Sequence, residues 1–177
     1  MEGERVEVKK SVELYEPGLE SYPVRDVLLG NLVMALLISA GTVVCWFLSP
    51  VLGAIYLTFS VVMVYVVLRR LICTRCYYFG KRCGTGWGLL ASMWFARGAR
   101  EDFNESAGIR LAPMVYGLVT LAPLVALVVL LIQGATTSLL LLVGVFLGIG
   151  FYSSGPGRRR ACSRCKMKLF CKGCAAK

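Results

Sequence analysis

Seven cysteines are grouped in two clusters that share one spacing unit. Cys73, Cys76 and Cys83 form a C-x2-C-x6-C pattern, and Cys162, Cys165, Cys171 and Cys174 form C-x2-C-x5-C-x2-C. Two thiols separated by two residues turn toward a common point when the chain folds back over a knuckle. A CxxC is therefore a natural half-site for a thiophilic cation, and zinc and iron–sulfur sites both take four sulfurs. The second cluster has four on its own. The first has three and needs a donor from elsewhere or an open coordination position. Histidine is absent, which removes mixed cysteine–histidine zinc sites, bis-histidine haem and histidine-based acid–base catalysis.

The neighbours of these cysteines are basic: Arg75, Lys81, Arg82, Arg164, Lys166 and Lys172. Positive charge favours thiolate, and so metal binding or redox reactivity. Zinc is the favoured metal. Short extramembrane segments have too little core to order themselves, and a structural ion supplies the missing folding free energy. An iron–sulfur cluster or a cycling CxxC pair is the alternative. The spacing departs from the C-x2-C-x2-C-x3-C-P of bacterial ferredoxins, which counts against iron–sulfur without removing it. The link of five residues between the second cluster's pairs is shorter than in the usual zinc ribbons. Shared sites resolve this: Cys73 and Cys76 with Cys162 and Cys165, and Cys83 with Cys171 and Cys174. Structural thiols that bind no metal are the plainer reading.

The elements that position the cysteines are apolar. The chain has 177 residues, 57% of them hydrophobic and 17% charged, with mean hydropathy +0.69. A soluble domain has ~45–50% apolar residues. Here the excess lies in four runs, about Val27 to Leu48, Val51 to Leu68, Leu111 to Ile132 and Ser138 to Tyr152. None carries a charge, and each approaches the ~20 residues that cross the hydrocarbon core. The expected fold is an all-α membrane protein with four transmembrane helices as two hairpins. Both termini are expected to be cytoplasmic, with an interfacial helix and a cytoplasmic Cys-rich loop and tail. The chain then divides into an N-terminal arm (1–26), hairpin 1 (27–68), a Cys-rich loop (69–110), hairpin 2 (111–153) and a basic Cys-rich tail (154–177).

Details refine this outline. The arm is acidic and lacks the pattern of a secretory signal peptide. Val6 and Val8 alternate with charges, as in a short strand or frayed helix, and Pro17-Gly18 and Pro23 interrupt any regular element in the rest of the arm. Asn31 is the strongest polar group of the first span. Cys45 alone reads as packing. The stretch from Trp87 to Ala96 is apolar and aromatic but too short to span, which suggests an interfacial helix. Tyr77-Tyr78-Phe79 reads as interfacial packing beside the membrane. Pro123 lies mid-span, where it should kink the helix and free the carbonyl near Val119. Gly144 and Gly148 form a GxxxG pattern suited to close helix contact, within the bundle or between copies in a homo-oligomer.

The net charge of +10 follows the positive-inside rule rather than a nucleic-acid footprint, because Lys and Arg gather beside the apolar runs. This places the Cys-rich face on the cytoplasmic side of the cell (plasma) membrane, where disulfides rarely persist. Arg158, Arg159 and Arg160, with Lys166 and Lys168, suit anionic lipid headgroups. The partners expected are the bilayer, those headgroups and a membrane or soluble protein; nucleic acid is not among them. The leading function is a membrane scaffold or interaction protein with a cysteine–metal module. A redox component is the alternative and a small transporter the second alternative, disfavoured because the spans lack ionisable residues. Glu101, Asp102 and Glu105 form no catalytic spacing, so no enzyme is read here.

Overall fold

A computed structural model describes residues 13–134 and 137–176. The alternation at Val6 and Val8 lies outside the described residues. The helices are α1 (Val24–Leu48), α2 (Pro50–Val61), α3 (Trp87–Trp94), α4 (Ala107–Gly134), α5 (Thr137–Ser154) and α6 (Pro156–Ser163). Among the described residues no strand occurs, only one isolated parallel bridge between Leu19 and Cys165. Four helical stretches are long and apolar enough to cross a membrane: Val24–Leu48, Pro50–Cys73, Ala107–Gly134 and Leu140–Ser163. Their outward faces are apolar as well, with Leu28, Phe47, Ile132 and Phe151 exposed, the pattern of helices whose solvent is lipid.

The second span is longer than the sequence suggests. It does not stop at Arg69 but continues past α2 in π-helical geometry over Val62–Val67 and Arg69–Cys73. The Leu68 N–H reaches back to the Met63 carbonyl. A π-turn is wider than an α-turn, so it rotates every later side chain. It carries Arg69 to 5.5 Å from the Trp87 ring and brings Cys73 to the end of the helix, buried. Arg69 is thus a packing residue that snorkels beside an aromatic ring.

α1 lies against α2, α4 and α5, and α5 barely touches α4. The core is made of Val44, Tyr56, Val64, Leu68, Val115, Val119, Ala126 and Leu127. At its centre Pro123 leaves the Val119 carbonyl without its helical donor, and the Tyr56 hydroxyl donates to that oxygen at 2.9 Å. Gly41 makes room for this contact, since a Cβ there would lie 2.4 Å from the Tyr56 hydroxyl oxygen and 2.9 Å from the Pro123 ring. Gly144 and Gly148 meet nothing within 4 Å, so the close contact that the GxxxG pattern suggests is not made within the described chain.

At one end of the bundle four helix ends gather. A Cβ on Gly30 of α1 would lie 2.7 Å from the Gly84 carbonyl oxygen, and one on Gly108 of α4 would lie 2.6 Å from Ile72. The Tyr22 hydroxyl, just before α1, donates to the Ala161 carbonyl of α6 at 2.6 Å. All seven clustered cysteines belong to segments that meet here.

Tyr56→Phe strands the Val119 carbonyl and should destabilise the protein in detergent by ~1–2 kcal/mol. Pro123→Ala restores the helical N–H to that carbonyl. The Tyr56→Phe cost should therefore shrink in a Pro123→Ala background, a coupling that a double-mutant cycle of unfolding measures. Equal costs in both backgrounds would show that the hydroxyl does not serve the proline gap.

Candidate metal centre

The module at this end is built from the arm, the Cys-rich loop and the tail. Its core holds Tyr22, Tyr77, Tyr78, Phe103 and Met167, with Cys76, Cys83, Cys165 and Cys171 packed around them. Tyr22 and Tyr78 meet edge-on at 5.4 Å, as do Tyr77 and Tyr78 at 5.3 Å. The tyrosines read as membrane-interface packing are therefore the core of the module. The Tyr78 hydroxyl donates to the Leu19 carbonyl at 2.7 Å and accepts the Lys166 N–H at 3.0 Å. It joins arm, loop and tail at a single oxygen.

Backbone bonds complete the lacing. Tyr15 N–H donates to the Lys166 carbonyl and Leu19 N–H to the Arg164 carbonyl, both at 2.9 Å, while Tyr22 N–H donates to Arg82 at 2.9 Å. Gly18 sits so close to the tail that a Cβ would lie 2.8 Å from the Lys166 Cα. On the other side Asn104 clamps the tail with its amide, donating to the Phe170 carbonyl at 2.7 Å and accepting the Lys172 N–H at 2.9 Å. Asn31 anchors the loop to α1: it donates to the Thr85 carbonyl at 2.7 Å and accepts the Trp87 indole N–H at 3.0 Å.

Charge adds direction. Glu20 pairs with Lys166 at 2.9 Å and Lys81 at 3.2 Å and accepts the Tyr77 hydroxyl. The Tyr77 bond first, then Lys166 and Lys81, holds its carboxyl down from the usual 4.5 to about 2. Asp26 pairs with Arg164. Lys81, Arg164 and Lys166 thus do more than mark topology, since each grips the acidic arm. These contacts escaped the sequence reading. The visible signal was complementarity between an acidic arm and two basic segments.

The three CxxC turns share one geometry. Cys76 N–H donates to the Cys73 carbonyl at 3.2 Å, Cys165 to Cys162 at 3.2 Å and Cys174 to Cys171 at 3.3 Å. In the third turn the Ala176 N–H also reaches the Cys174 sulfur at 3.5 Å. N–H···S bonds of this kind orient cysteine ligands and support negative charge on sulfur. The loop and tail segments also meet, since Cys76 and Cys83 of one and Cys165 and Cys171 of the other pack around the same buried core. Cys83 Sγ is 3.2 Å from the Thr85 hydroxyl. Cys45 is buried in α1, away from these sets.

Among the described residues no three Cys, Asp or Glu side chains converge closely enough to hold an ion as they stand. No disulfide joins the cysteines among the described residues. Burial pushes the Cys76 thiol well up and the Cys165 thiol up to about 11. The basic neighbours expected to favour thiolate are outweighed by desolvation.

The Glu20 clamp has a defined pH dependence. A carboxyl whose folded pKa is depressed stabilises the fold above its ordinary pKa and loses that contribution as pH falls through the folded value. Glu20→Gln should loosen the tail at neutral pH, read as faster proteolysis after the tail's basic residues. The gap from the unmodified protein should narrow below pH 4.5 and close near pH 2. A gap that is unchanged near pH 2, or missing at pH 7, would assign the tail's attachment to other contacts.

No protein-family model, curated protein or solved structure matches the chain.

Proposed function

We propose that this is an integral membrane scaffold or interaction protein whose extramembrane module is stapled by cysteine-bound metal, zinc being favoured. The observation that carries the reading is the threefold repetition of one CxxC turn, each closed by a backbone N–H···O bond, on loop and tail segments laced together at Tyr78. Cys73, Cys76, Cys83, Cys162, Cys165, Cys171 and Cys174 would hold the metal. Zinc has no redox chemistry and takes four sulfurs in a closed structural site, so its contribution is to fix the loop and tail to each other. The residues of the chain do the rest. Tyr78, Glu20 and Asn104 orient the three segments, and the Ala176 N–H orients the Cys174 sulfur.

In this reading the four spans form two hairpins, and both termini and the cysteine module lie on the cytoplasmic side of the cell membrane. The gathering of four helix ends around the module supports the hairpins. The concentration of Lys and Arg at that end supports its orientation. α3 lies in the interface, with Met93 and Trp94 exposed, and Arg158, Arg159 and Arg160, also exposed, face anionic headgroups.

The repeated CxxC spacing of the thiols supports a second reading as well, a dithiol or iron–sulfur redox component. One preparation separates the two. Full-length protein purified in detergent, reduced and without oxygen, should contain zinc and show no visible absorption band, and chelation should expose the tail to protease. Iron with visible absorbance would move the function to electron transfer. Protein free of metal would remove both metal readings.

A further inference from the structure

Glu20 of the arm lies in a cradle of three donors. The Tyr77 hydroxyl and the Lys81 ammonium both reach Oε2, the latter at 3.2 Å, and the Lys166 ammonium reaches Oε1 at 2.9 Å. The donors are tied to one another as well as to the carboxylate. Lys81 Nζ donates to the Tyr77 hydroxyl at 3.1 Å and stands 4.5 Å from the centre of the same ring. Arg100 approaches that ring at 5.3 Å. Tyr77 is buried, and the Lys166 side chain is only 12% exposed, so packing of loop and tail fixes two of the three donors.

The carboxylate fits this cradle imperfectly. Three donors face two oxygens, and one oxygen serves both Tyr77 and Lys81. Charge is unbalanced too. Lys81 and Lys166 share one carboxylate, and among the described residues neither they nor Arg100 form an ion pair with another. Glu16 meets Lys166 with its backbone carbonyl, at 3.0 Å. The Glu20 side chain is 64% exposed, so it can turn out to water while the Tyr15 and Leu19 backbone bonds keep the arm in place.

A phosphate monoester answers both mismatches. At neutral pH it carries about −1.5 to −2 charges and three terminal oxygens, one for each donor, and its hydrogen bonds to ammonium groups are charge-assisted. We infer that Tyr77, Lys81 and Lys166 form a phosphate-binding site in which the Glu20 carboxylate is a built-in competitor. The incoming phosphate takes the place of Glu20 and bridges loop to tail directly. The site draws on different residues from the Arg158–Arg160 surface, and it rests on the lacing of the three segments rather than on bound metal. The shared chemistry has two sources, a lipid headgroup that ends in a phosphate monoester and phosphate free in solution.

The test uses full-length protein in detergent at constant ionic strength, so that general screening does not vary. One arm follows inorganic phosphate by phosphorus NMR. The other follows short-chain phosphatidic acid by native mass spectrometry, with phosphatidylglycerol as the phosphodiester control. Phosphatidic acid bound alone identifies a headgroup, and inorganic phosphate bound identifies a soluble ligand. Glu20→Gln should tighten binding roughly tenfold by removing the competing charge. That gain is the decisive readout, since a variant that misfolds does not bind better. Added ligand should also restore the protease resistance that the tail loses in Glu20→Gln. Lys81→Gln and Lys166→Gln should each weaken binding several-fold, whereas Arg97→Gln, at an exposed position elsewhere on the loop, should leave it unchanged. No binding in either arm, no gain in Glu20→Gln, or a loss in Arg97→Gln equal to that in Lys81→Gln would overturn the site.

Discussion

Three chain segments far apart in sequence meet at the hydroxyl of Tyr78. It donates to Leu19 in the arm and accepts from Lys166 in the tail, while its ring packs against Tyr22 and Tyr77. With the residue almost fully buried, neither hydrogen bond can be exchanged for one to water without opening the module. Truncation to phenylalanine would leave a carbonyl and an N–H unsatisfied at once, the costly side of hydrogen-bond energetics. The rest of the module is arranged around this oxygen. Gly18 allows the arm to approach Lys166, Gly88 allows α3 to approach the Tyr78 carbonyl, and Cys165 packs against the same cluster.

The bundle solves a related problem without water. A proline within a membrane helix exposes a carbonyl that lipid cannot satisfy. Tyr56 supplies the donor from the neighbouring helix, and Gly41 supplies the space. The result is a lateral bond at the centre of an otherwise uniformly apolar core. It fixes the depth of the second span against the third, and that depth sets where the π-helical end of the second span delivers Arg69 and Cys73. Packing inside the membrane and the placement of the first CxxC are thereby linked through one helix.

Charge-free runs of spanning length made the four spans plain in the sequence. The Pro123 gap at Val119 was readable too, because a proline's effect is local. Its donor was not, since Tyr56 reaches it only in one register of two packed helices. The π-helical continuation was hidden for another reason. Val62 to Val67 suits any apolar helix, and Arg69 looks like a boundary unless Trp87 is known to lie beside it. In the module, the CxxC spacing announced the turns. Charge pattern alone did not show that the acidic arm is laced between loop and tail, because Lys81, Arg164 and Lys166 look the same whether they face lipid headgroups or Glu20 and Asp26.

The module's composition bears on why a cation would be needed at all. Its buried core is five residues, Tyr22, Tyr77, Tyr78, Phe103 and Met167, of which the tail contributes only Met167. Fixing each tail residue costs ~1–2 kcal/mol of backbone entropy, while each net hydrogen bond returns ~1 kcal/mol, and the Glu20 pairs are solvent-exposed and screened. Lacing can therefore position the tail without holding it firmly. A structural zinc contributes ~10–16 kcal/mol on binding preformed turns of cysteine, enough to reverse that balance. Four of the tail's last sixteen residues are cysteines, where a larger domain would place leucine and valine. If the proposed cation binds, the tail carries its ligands in place of a hydrophobic core.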